Sequence, residues 1–345
     1  MKPQLSVVAT SRNDQHGGHL LERMQLFVQG LAEQSERFAF PVELILVEWN
    51  PPADRPPLVE ALRWGTTDYF QPRVITVPNE IHRTYPHHDG LPLFQMIGKN
   101  VGIRRSSAPY VLATNIDILF SDELFAFFGT GLKPNAMYRV DRHDVQAELD
   151  GPALPTPAEC RALPVIREHR LDGLRYPRGR PPVVRGSRRL DHMAAAAWDR
   201  LTLPRLHTSG SGDFTLTSRD VWFAIHGYPE WPAYSWHMDG VAMFQAYAGG
   251  VEMVNLEPPM VAYHLEHGEG SGWTPESSRL FERLDAAGVP YISTRAYRSL
   301  AHKLVRGRRF QPINGDDWGL ASRELPSIAA SRLADPPRPD PTRNR

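Results

Sequence analysis

The sequence is poor in cysteine: among its 345 residues only Cys160 carries a thiol. One cysteine cannot form an intrachain disulfide, and its solitary presence fits a reducing compartment. Long apolar runs are also missing, since no stretch approaches the roughly 18 apolar residues of a membrane-spanning helix. The N-terminal residues lead into a short strand-like run and show no apolar region typical of a signal peptide. These absences favour a soluble, cytoplasmic protein, and they leave peripheral contact with a membrane open.

An excess of one charge is the third feature that the chain lacks. Its 39 lysines and arginines balance 39 aspartates and glutamates, so the formal net charge is zero. No overall attraction to nucleic acid or to a charged membrane follows from such a balance. A local excess exists in residues 161–205, which hold eleven arginines and four acidic residues. Because aromatic side chains are not interleaved with these arginines, we expect no nucleic-acid partner.

What the chain does have, from its N-terminus, is a strand, helix, strand order. Residues 5–9 and 42–47 are short β-rich apolar runs, and apolar residues recur at helical spacing over 20–38. This order is typical of the start of a parallel α/β sheet. Ligands of such sheets bind beyond the carboxyl ends of the strands, where the polar segments 10–14 and 48–50 lie.

A second strand end carries two polar side chains, Asn115 and Asp117, directly after the apolar run 110–113. Residues two apart in an extended segment point to the same side. Two oxygen-bearing side chains at the carboxyl end of a strand suit a hard cation that carries a phosphate. We therefore expect a metal and nucleotide site here. The alternative is that the two residues only cap the turn before the next helix.

Two stretches lack regular periodicity. Residues 78–93 are polar and His-rich, and we interpret them as a loop over the site in preference to a metal-binding segment. From residue 150 to about 204 prolines recur, so we expect an irregular insertion with little helix or strand. This insertion is either a solvated surface loop or a lid for an acceptor or anionic partner. Residues 331–345, with four prolines and four arginines, are predicted to be a disordered tail.

The ordered set of these segments resembles the GT-A fold, and within it the large family 2 of nucleotide-sugar glycosyltransferases and its relatives. The likeness covers roughly residues 4–130 and 207–268. Four places carry it: the opening strand and turn at 5–13; the Gly-Lys-Asn-Val-Gly-Ile helix at 98–103; the strand at 110–117, where the family has an Asp-x-Asp motif; and the acceptor-side residues 212–216, 226–230 and 238–239.

Three positions depart from the family's pattern. Asn115 stands where the first aspartate of the motif is usual, and its amide offers an oxygen without a charge. The second strand ends in Glu48-Trp49-Asn50 where the family often has Asp-Asp-x-Ser. A single acid, Asp239, replaces the family's acidic pair.

The resemblance implies an α/β fold of the GT-A, Rossmann-like kind. Its mixed, mostly parallel sheet would be flanked by helices and interrupted by the irregular Arg/Pro-rich insertion. We divide the chain into a nucleotide-sugar-binding half at 1–130, a strand plus the insertion at 131–206, an acceptor-side half of the same domain at 207–330, and the tail at 331–345.

The resemblance also implies an activity: transfer of a sugar from a UDP- or GDP-sugar to a hydroxyl of a saccharide or other acceptor, with Mn²⁺ or Mg²⁺. The leaving diphosphate needs neutralisation and the acceptor hydroxyl needs a base. The implied roles are metal ligands Asp117 and His264, with His267 as the alternative to His264; general base Asp239; nucleotide contacts Thr10, Arg12, Asn13, Glu48, Asn115 and Asn100, with Lys99 as the alternative to Asn100; and substrate contacts Asp213 and Trp236.

Two other functions stay open on the sequence. A sugar nucleotidyltransferase would use a related sheet, but its usual Gly-rich, basic loop after the first strand is missing from residues 10–14. A non-catalytic, glycosyltransferase-like module would keep the nucleotide pocket without activity. The neutral Asn115 and the lone Asp239 fit that second alternative.

Overall fold

The computed structural model describes residues 1–65, 67–151, 153–177, 201–267, 279–307 and 310–330. The predicted tail and much of the Arg-rich insertion lie outside these residues. No helix of the described ranges is long and apolar enough to cross a membrane.

One mixed sheet runs through the described chain, in the order β11-β3-β2-β1-β4-β9-β6-β10-β5. Strand β7 also pairs with β6, and β8 pairs with β7. The strands are β1 Leu5–Ser11, β2 Val42–Trp49, β3 Phe70–Val77, β4 Tyr110–Thr114, β5 Ile118–Phe120, β6 Ala136–Val145, β7 Val165–Arg170, β8 Gly173–Arg175, β9 Phe214–Ser218, β10 Glu252–Leu265 and β11 Ser327–Ala329. The neighbours β3, β2, β1 and β4 are parallel, as are β6 and β10, and the other pairs are antiparallel.

Helices cover both faces of this sheet. They are α1 Leu20–Arg37, α2 Leu58–Ala61, α3 Asn79–His82, α4 Gln95–Arg104, α5 Asp122–Phe128, α6 Pro157–Arg161, α7 Arg219–Ile225, α8 Met238–Ala248, α9 Arg279–Ala286 and α10 Thr294–Arg306. The predicted mixed α/β architecture with flanking helices, as the GT-A resemblance implies, is therefore confirmed.

The central strand β1 is buried on both faces because helices cover it from both sides. Its Val7 faces the core that α1 completes, while Val8 faces the core beneath α4. Two glycines let α4 lie close to the strand. A Cβ on Gly102 would lie 2.5 Å from Val8, and one on Gly98 would lie 2.4 Å from the Thr10 hydroxyl. The two glycines of the Gly-Lys-Asn-Val-Gly segment thus allow α4 to pack closely against the end of β1.

The insertion has more regular structure than expected in its described part. Helix α6 begins with a capping box between Thr156 and Glu159, and β7 pairs with β6. Charged residues hold β7 in place, because Arg167 lies at 2.5 Å from Asp144 of β6. The prediction of an irregular segment was wrong here because apolar periodicity does not detect a strand that is held by ion pairs.

Candidate functional site

A cavity of about 870 Å³ opens at the carboxyl edge of the parallel strands. Residues of the turns after β1 and β4, of the loop before β9, of the start of α8 and of the end of β10 line it. Crevices at this edge are where α/β sheets bind ligands. Nine of the predicted site residues line the cavity, including His267, the alternative to His264: Thr10, Arg12, Asn115, Asp117, Asp213, Trp236, Asp239, His264 and His267.

Asp117 lies in a turn between β4 and β5, and its side chain is almost fully buried. Arg23 Nη1 donates to Asp117 Oδ2 at 3.0 Å, and His267 Nε2 lies 3.1 Å from the same oxygen. Burial alone would raise the pKa of this carboxyl, but His264, His267 and Arg23 outweigh it and hold the pKa well below its usual range. Asp117 is therefore an anion at neutral pH.

His264 reaches Asp117 because of a long-range strand pairing. In the antiparallel β5–β10 pair His264 lies opposite Ile118, and Leu265 N donates to Asp117 O at 2.9 Å. The imidazole lies 3.7 Å from Asp117 Oδ2 and 3.2 Å from Asp144 Oδ1. Burial and Arg142 lower the pKa of His264, yet the surrounding carboxylates outweigh them and raise it to about 10. A cation that binds this imidazole would therefore displace a proton.

Asp117, His264 and His267 form a group that can hold a divalent cation. One ligand atom from each of the three lies within 4.8 Å of the others. Asp117 Oδ1 and His267 Nδ1 are buried, and neither has a hydrogen-bond partner among the described residues. Buried polar atoms are nearly always paired, so these two atoms fit a missing ligand. A donor set of one carboxylate and two imidazoles suits Mn²⁺ and similar metals better than Mg²⁺.

Asn115 does not share one side of a strand with Asp117, because β4 ends at Thr114 and a turn follows. Its Oδ1 accepts from Lys99 Nζ at 2.7 Å and from Gln95 Nε2 at 3.0 Å. Both lone pairs of this oxygen are thereby used. The prediction that the two side chains would hold a cation together was wrong on this point, and Asn115 serves the site through its hydrogen bonds.

Asp213 is a second acid of the cavity, and two donors fix it. Asn115 Nδ2 donates to its Oδ1 at 2.6 Å, and Arg142 Nη1 pairs with its Oδ2 at 2.5 Å. Burial would raise the pKa of Asp213, but Arg142 beside it keeps the pKa below its usual value. Arg142 also lies 2.9 Å from Asp144, which Arg167 contacts from β7. Charged residues therefore form a continuous wall on this side of the cavity.

Asp239 also lines the cavity, from the first turn of α8. Its Oδ2 accepts from Gly212 N at 2.6 Å, and its Oδ1 accepts from Gly240 N at 2.9 Å. These bonds fix the carboxylate while its remaining lone pairs stay available toward the cavity. Unlike Asp213, it is only half-buried, and the described residues show no ion pair to it.

Aromatic rings line the cavity beside Asp239. Trp236 meets Phe281 edge-on at 5.2 Å between centroids, and His237 stacks on Tyr297 at 4.4 Å with the planes 3° apart. Trp236, His237 and Tyr297 all line the cavity. This wall therefore offers apolar ring faces of the kind that pack on the apolar face of a sugar ring.

Three predicted nucleotide contacts lie outside the cavity lining. Asn13 is buried and donates to Pro56 O at 2.9 Å. Glu48 is also buried and accepts from Leu58 N at 2.9 Å. Asn100 accepts from Tyr228 N and donates to Tyr228 O, both at 2.8 Å. All three side chains bond to the backbone of neighbouring loops. They support the site from outside the cavity lining, where the sequence had predicted contact with the nucleotide.

Replacing Glu48 by glutamine should stabilise the protein at alkaline pH. Burial raises the pKa of Glu48 to about 6 from its ordinary value of 4.5, so its ionisation opposes folding. The protonated, uncharged Glu48 is compatible with burial, so its full contribution to the free energy of unfolding is present below pH 4.5. This contribution is lost as the pH rises through 6 and the side chain ionises. We expect Glu48→Gln to raise the free energy of unfolding by about 1 kcal/mol at pH 8. Urea unfolding at pH 8 and pH 4.5 measures this, with exposed Glu36→Gln as control. A gain independent of pH would contradict it.

The sequence did not predict four residues that form ion pairs around the cavity: Arg23, Arg142, Asp144 and Arg167. Arg23 lies within α1 and is buried, an uncommon place for an arginine. It could have been noticed as a charged residue on the apolar side of that helix. The alternation of Arg142 and Asp144 in β6 was a second signal, because residues two apart share one side of a strand.

No family model matches the chain, and no curated protein matches it in sequence. Solved structures similar to it include the catalytic domain of Drosophila beta1,4galactosyltransferase 7 in complex with xylobiose, at 9% identity over 85% of this chain and 82% of that chain, with a TM-score of 0.37. S. aureus TarS 1-349 has 12% identity over 88% and 70% of the two chains, with a TM-score of 0.43. A mycobacterial protein has 12% identity over 84% and 76%, with a TM-score of 0.39. The likeness is one of fold alone, and the roles of the residues rest on the geometry of the cavity itself.

Proposed function

We propose that the protein is a glycosyltransferase that moves a sugar from a nucleotide-sugar donor to an acceptor hydroxyl. One observation carries the proposal: the Asp117, His264 and His267 group and the carboxylate of Asp239 face the same cavity at the carboxyl edge of the parallel strands. Sugar transfer requires a cation that neutralises the leaving diphosphate and a base that takes the proton of the acceptor hydroxyl. The cation-binding group and the separate carboxylate can supply these two functions.

Asp117, His264 and His267 would hold the divalent cation. When bound, that cation supplies positive charge for the diphosphate that leaves the sugar. Arg23 assists in two ways. It contacts Asp117 Oδ2, and it donates to His16 O at 2.7 Å and Gly18 O at 2.9 Å, which fixes the turn after β1. Arg23 therefore ties the loop on the proposed nucleotide side to the cation-binding carboxylate.

Thr10 and Arg12 are the proposed nucleotide contacts, because they line the cavity at the end of β1. Arg12 Nε is buried and has no hydrogen-bond partner among the described residues, although Asp14 lies 3.6 Å away. A guanidinium in that position can pair with a phosphate oxygen. We infer that Asn13, Glu48 and Asn100 support the nucleotide side of the cavity indirectly, through their hydrogen bonds to the backbone of neighbouring loops.

Asp239 is the proposed general base, which would take the proton of the acceptor hydroxyl. Asp213 is less suited to this role, because Arg142 and Asn115 already engage both of its oxygens. Backbone N–H groups fix the Asp239 carboxylate, and the described residues show no ion pair that engages it. Trp236 beside it would pack on the acceptor or on the transferred sugar.

The proposal is tested by screening UDP-, GDP-, CMP- and dTDP-sugars with and without Mn²⁺. Thermal shifts identify the nucleotide that binds. Release of the nucleoside diphosphate, or of CMP from a CMP-sugar, measures turnover. Mn²⁺-dependent turnover of one donor is the expected result. Binding without turnover, with any acceptor tried, would favour the non-catalytic module. Incorporation of a nucleoside triphosphate into a nucleotide sugar would favour a nucleotidyltransferase.

Mn²⁺ should stabilise the protein more than Mg²⁺ at the same concentration. Two of the three proposed ligands are imidazoles, which Mg²⁺ binds poorly. A ligand that binds only the folded state raises the melting temperature more, at equal concentration, the more tightly it binds. Scanning fluorimetry of chelator-treated protein with each chloride salt measures this, with Ca²⁺ as the second oxygen-preferring control. Equal shifts for all three ions would contradict the imidazole ligands.

A further inference from the structure

Lys99 is a fully buried ammonium that lies behind the cavity, on α4. Its Nζ donates to Asn115 Oδ1 at 2.7 Å and to Gly212 O at 2.6 Å. These acceptors belong to two separate segments, the turn that leads to Asp117 and the loop before β9. The ammonium therefore joins two walls of the cavity without reaching the cavity itself.

Each partner of Lys99 in turn holds an acid of the site. Asn115 Nδ2 donates to Asp213 Oδ1, and Gly212 N donates to Asp239 Oδ2, both at 2.6 Å. The Gly212 residue is thus held from both sides: its carbonyl by Lys99 and its N–H by Asp239. The Lys99 ammonium is therefore connected to each of the two carboxylates through a single intervening residue, Asn115 for Asp213 and Gly212 for Asp239.

A buried charge is costly, and packing alone does not require one. Moving an ammonium out of water costs several kcal/mol even after the protein relaxes. Burial lowers the pKa of Lys99 to about 8, and Asp213, Asp239 and Asp117 oppose that shift while Arg139 adds to it. Lys99 is therefore mostly charged at pH 7. The charge persists because the three carboxylates of the proposed site surround it.

We propose that Lys99 is a positioning residue, which fixes the Asp239 carboxylate relative to the Asp117 turn through Gly212 and Asn115. This inference rests on the proposed glycosyltransferase function. Lys99 does not touch the substrate and takes part in no proton transfer. Its role is to keep the base and the cation group at a constant separation, so that acceptor and donor meet in one geometry.

Lys99→Met tests this, because methionine keeps much of the length and volume but removes the charge and the donors. We expect kcat to fall roughly 100-fold, the scale of an ångström-sized misplacement. Mn²⁺ affinity and donor KM should stay within about threefold, since the cation group and Arg12 are not bonded to Lys99. Lys133→Met is the matched control, because Lys133 is exposed and pairs only with Glu252 on the surface.

Gly212→Ala is the second variant, in case burial of unpaired acceptors prevents Lys99→Met from folding. The added Cβ would lie 3.3 Å from Asp239 Oδ2 and 3.9 Å from Lys99 Nζ, so it disturbs the same joint without removing a charge. A selective loss of kcat is expected again. A folded variant with kcat within threefold of the wild type would overturn the inference. So would a parallel loss of kcat, Mn²⁺ affinity and melting temperature, which is what a purely structural lysine predicts. A wild-type protein inactive on every donor would instead refute the proposed function.

Discussion

Asp117→Asn should abolish Mn²⁺-dependent binding of the nucleoside diphosphate. Asparagine keeps the shape of the side chain but removes the one negative charge of the proposed cation group. Even residues behind metal ligands change metal affinity by roughly 10–100-fold, so we expect loss of a direct ligand to lower Mn²⁺ affinity by at least about 100-fold. Titration of Mn²⁺ by electron paramagnetic resonance measures the cation, and calorimetry with the nucleotide found by screening measures the diphosphate.

Stability must be measured in the same variant, because Asp117 also pairs with the buried Arg23. Breaking a buried ion pair leaves an uncompensated charge, which costs about 3–5 kcal/mol when one partner is simply deleted. Glu252→Gln is the control for removal of an acid, since Glu252 is exposed and contacts Lys133 at the surface. If folded Asp117→Asn protein bound Mn²⁺ as tightly as the wild type, the cation assignment would be wrong.

The cation group shows what the sequence could and could not predict. Asp117 was predictable because it follows an apolar run at a strand end, and such ends meet at one edge of a parallel sheet. His264 was placed only through the family resemblance. Its contact with Asp117 depends on β10 pairing with β5 antiparallel, far apart in sequence. No local pattern encodes a pairing between residues that lie more than 140 positions apart.

The polar residues at the other strand ends show a different limit. Thr10, Arg12, Asn13 and Glu48 all follow or end apolar strands, and all were predicted to touch the nucleotide. The first two line the cavity, while Asn13 and Glu48 turn away to hold the backbone of 56–58. A strand end fixes where a residue lies but not which way its side chain turns, because that depends on which unpaired backbone groups are near.

Lys99 shows that a motif can be recognised while its role is misjudged. The Gly-Lys-Asn-Val-Gly-Ile segment correctly predicted a helix before β4. The two glycines bring that helix against β1, which carries Lys99 and Asn100 into the interior. Their expected contact with base or phosphate does not fit this position. The close packing of α4 against β1 buries both side chains. The sequence alone does not reveal how closely a helix approaches a strand.

Asp239→Asn should lower the rate of sugar transfer far more than it lowers donor binding. Positioned acid–base groups contribute about 10²–10⁴-fold to rates, so we expect a kcat loss in that range. Donor KM and Mn²⁺ affinity should stay within about threefold of the wild type, because the described residues show no hydrogen bond or ion pair between Asp239 and the cation group. Initial rates of transfer and of donor hydrolysis, measured with the same donor, separate the two effects.

The competing explanation for Asp239 is that it only stabilises the first turn of α8, where a negative charge is favourable. Asp220 provides the matched control, since it occupies the first turn of α7 and is exposed. Asp220→Asn should lose a similar, small amount of stability with full activity. Asp239→Asn should lose activity that its stability does not explain. If donor affinity collapsed while the residual rate stayed high, Asp239 would belong to the donor site, and the base would have to be sought elsewhere in the cavity.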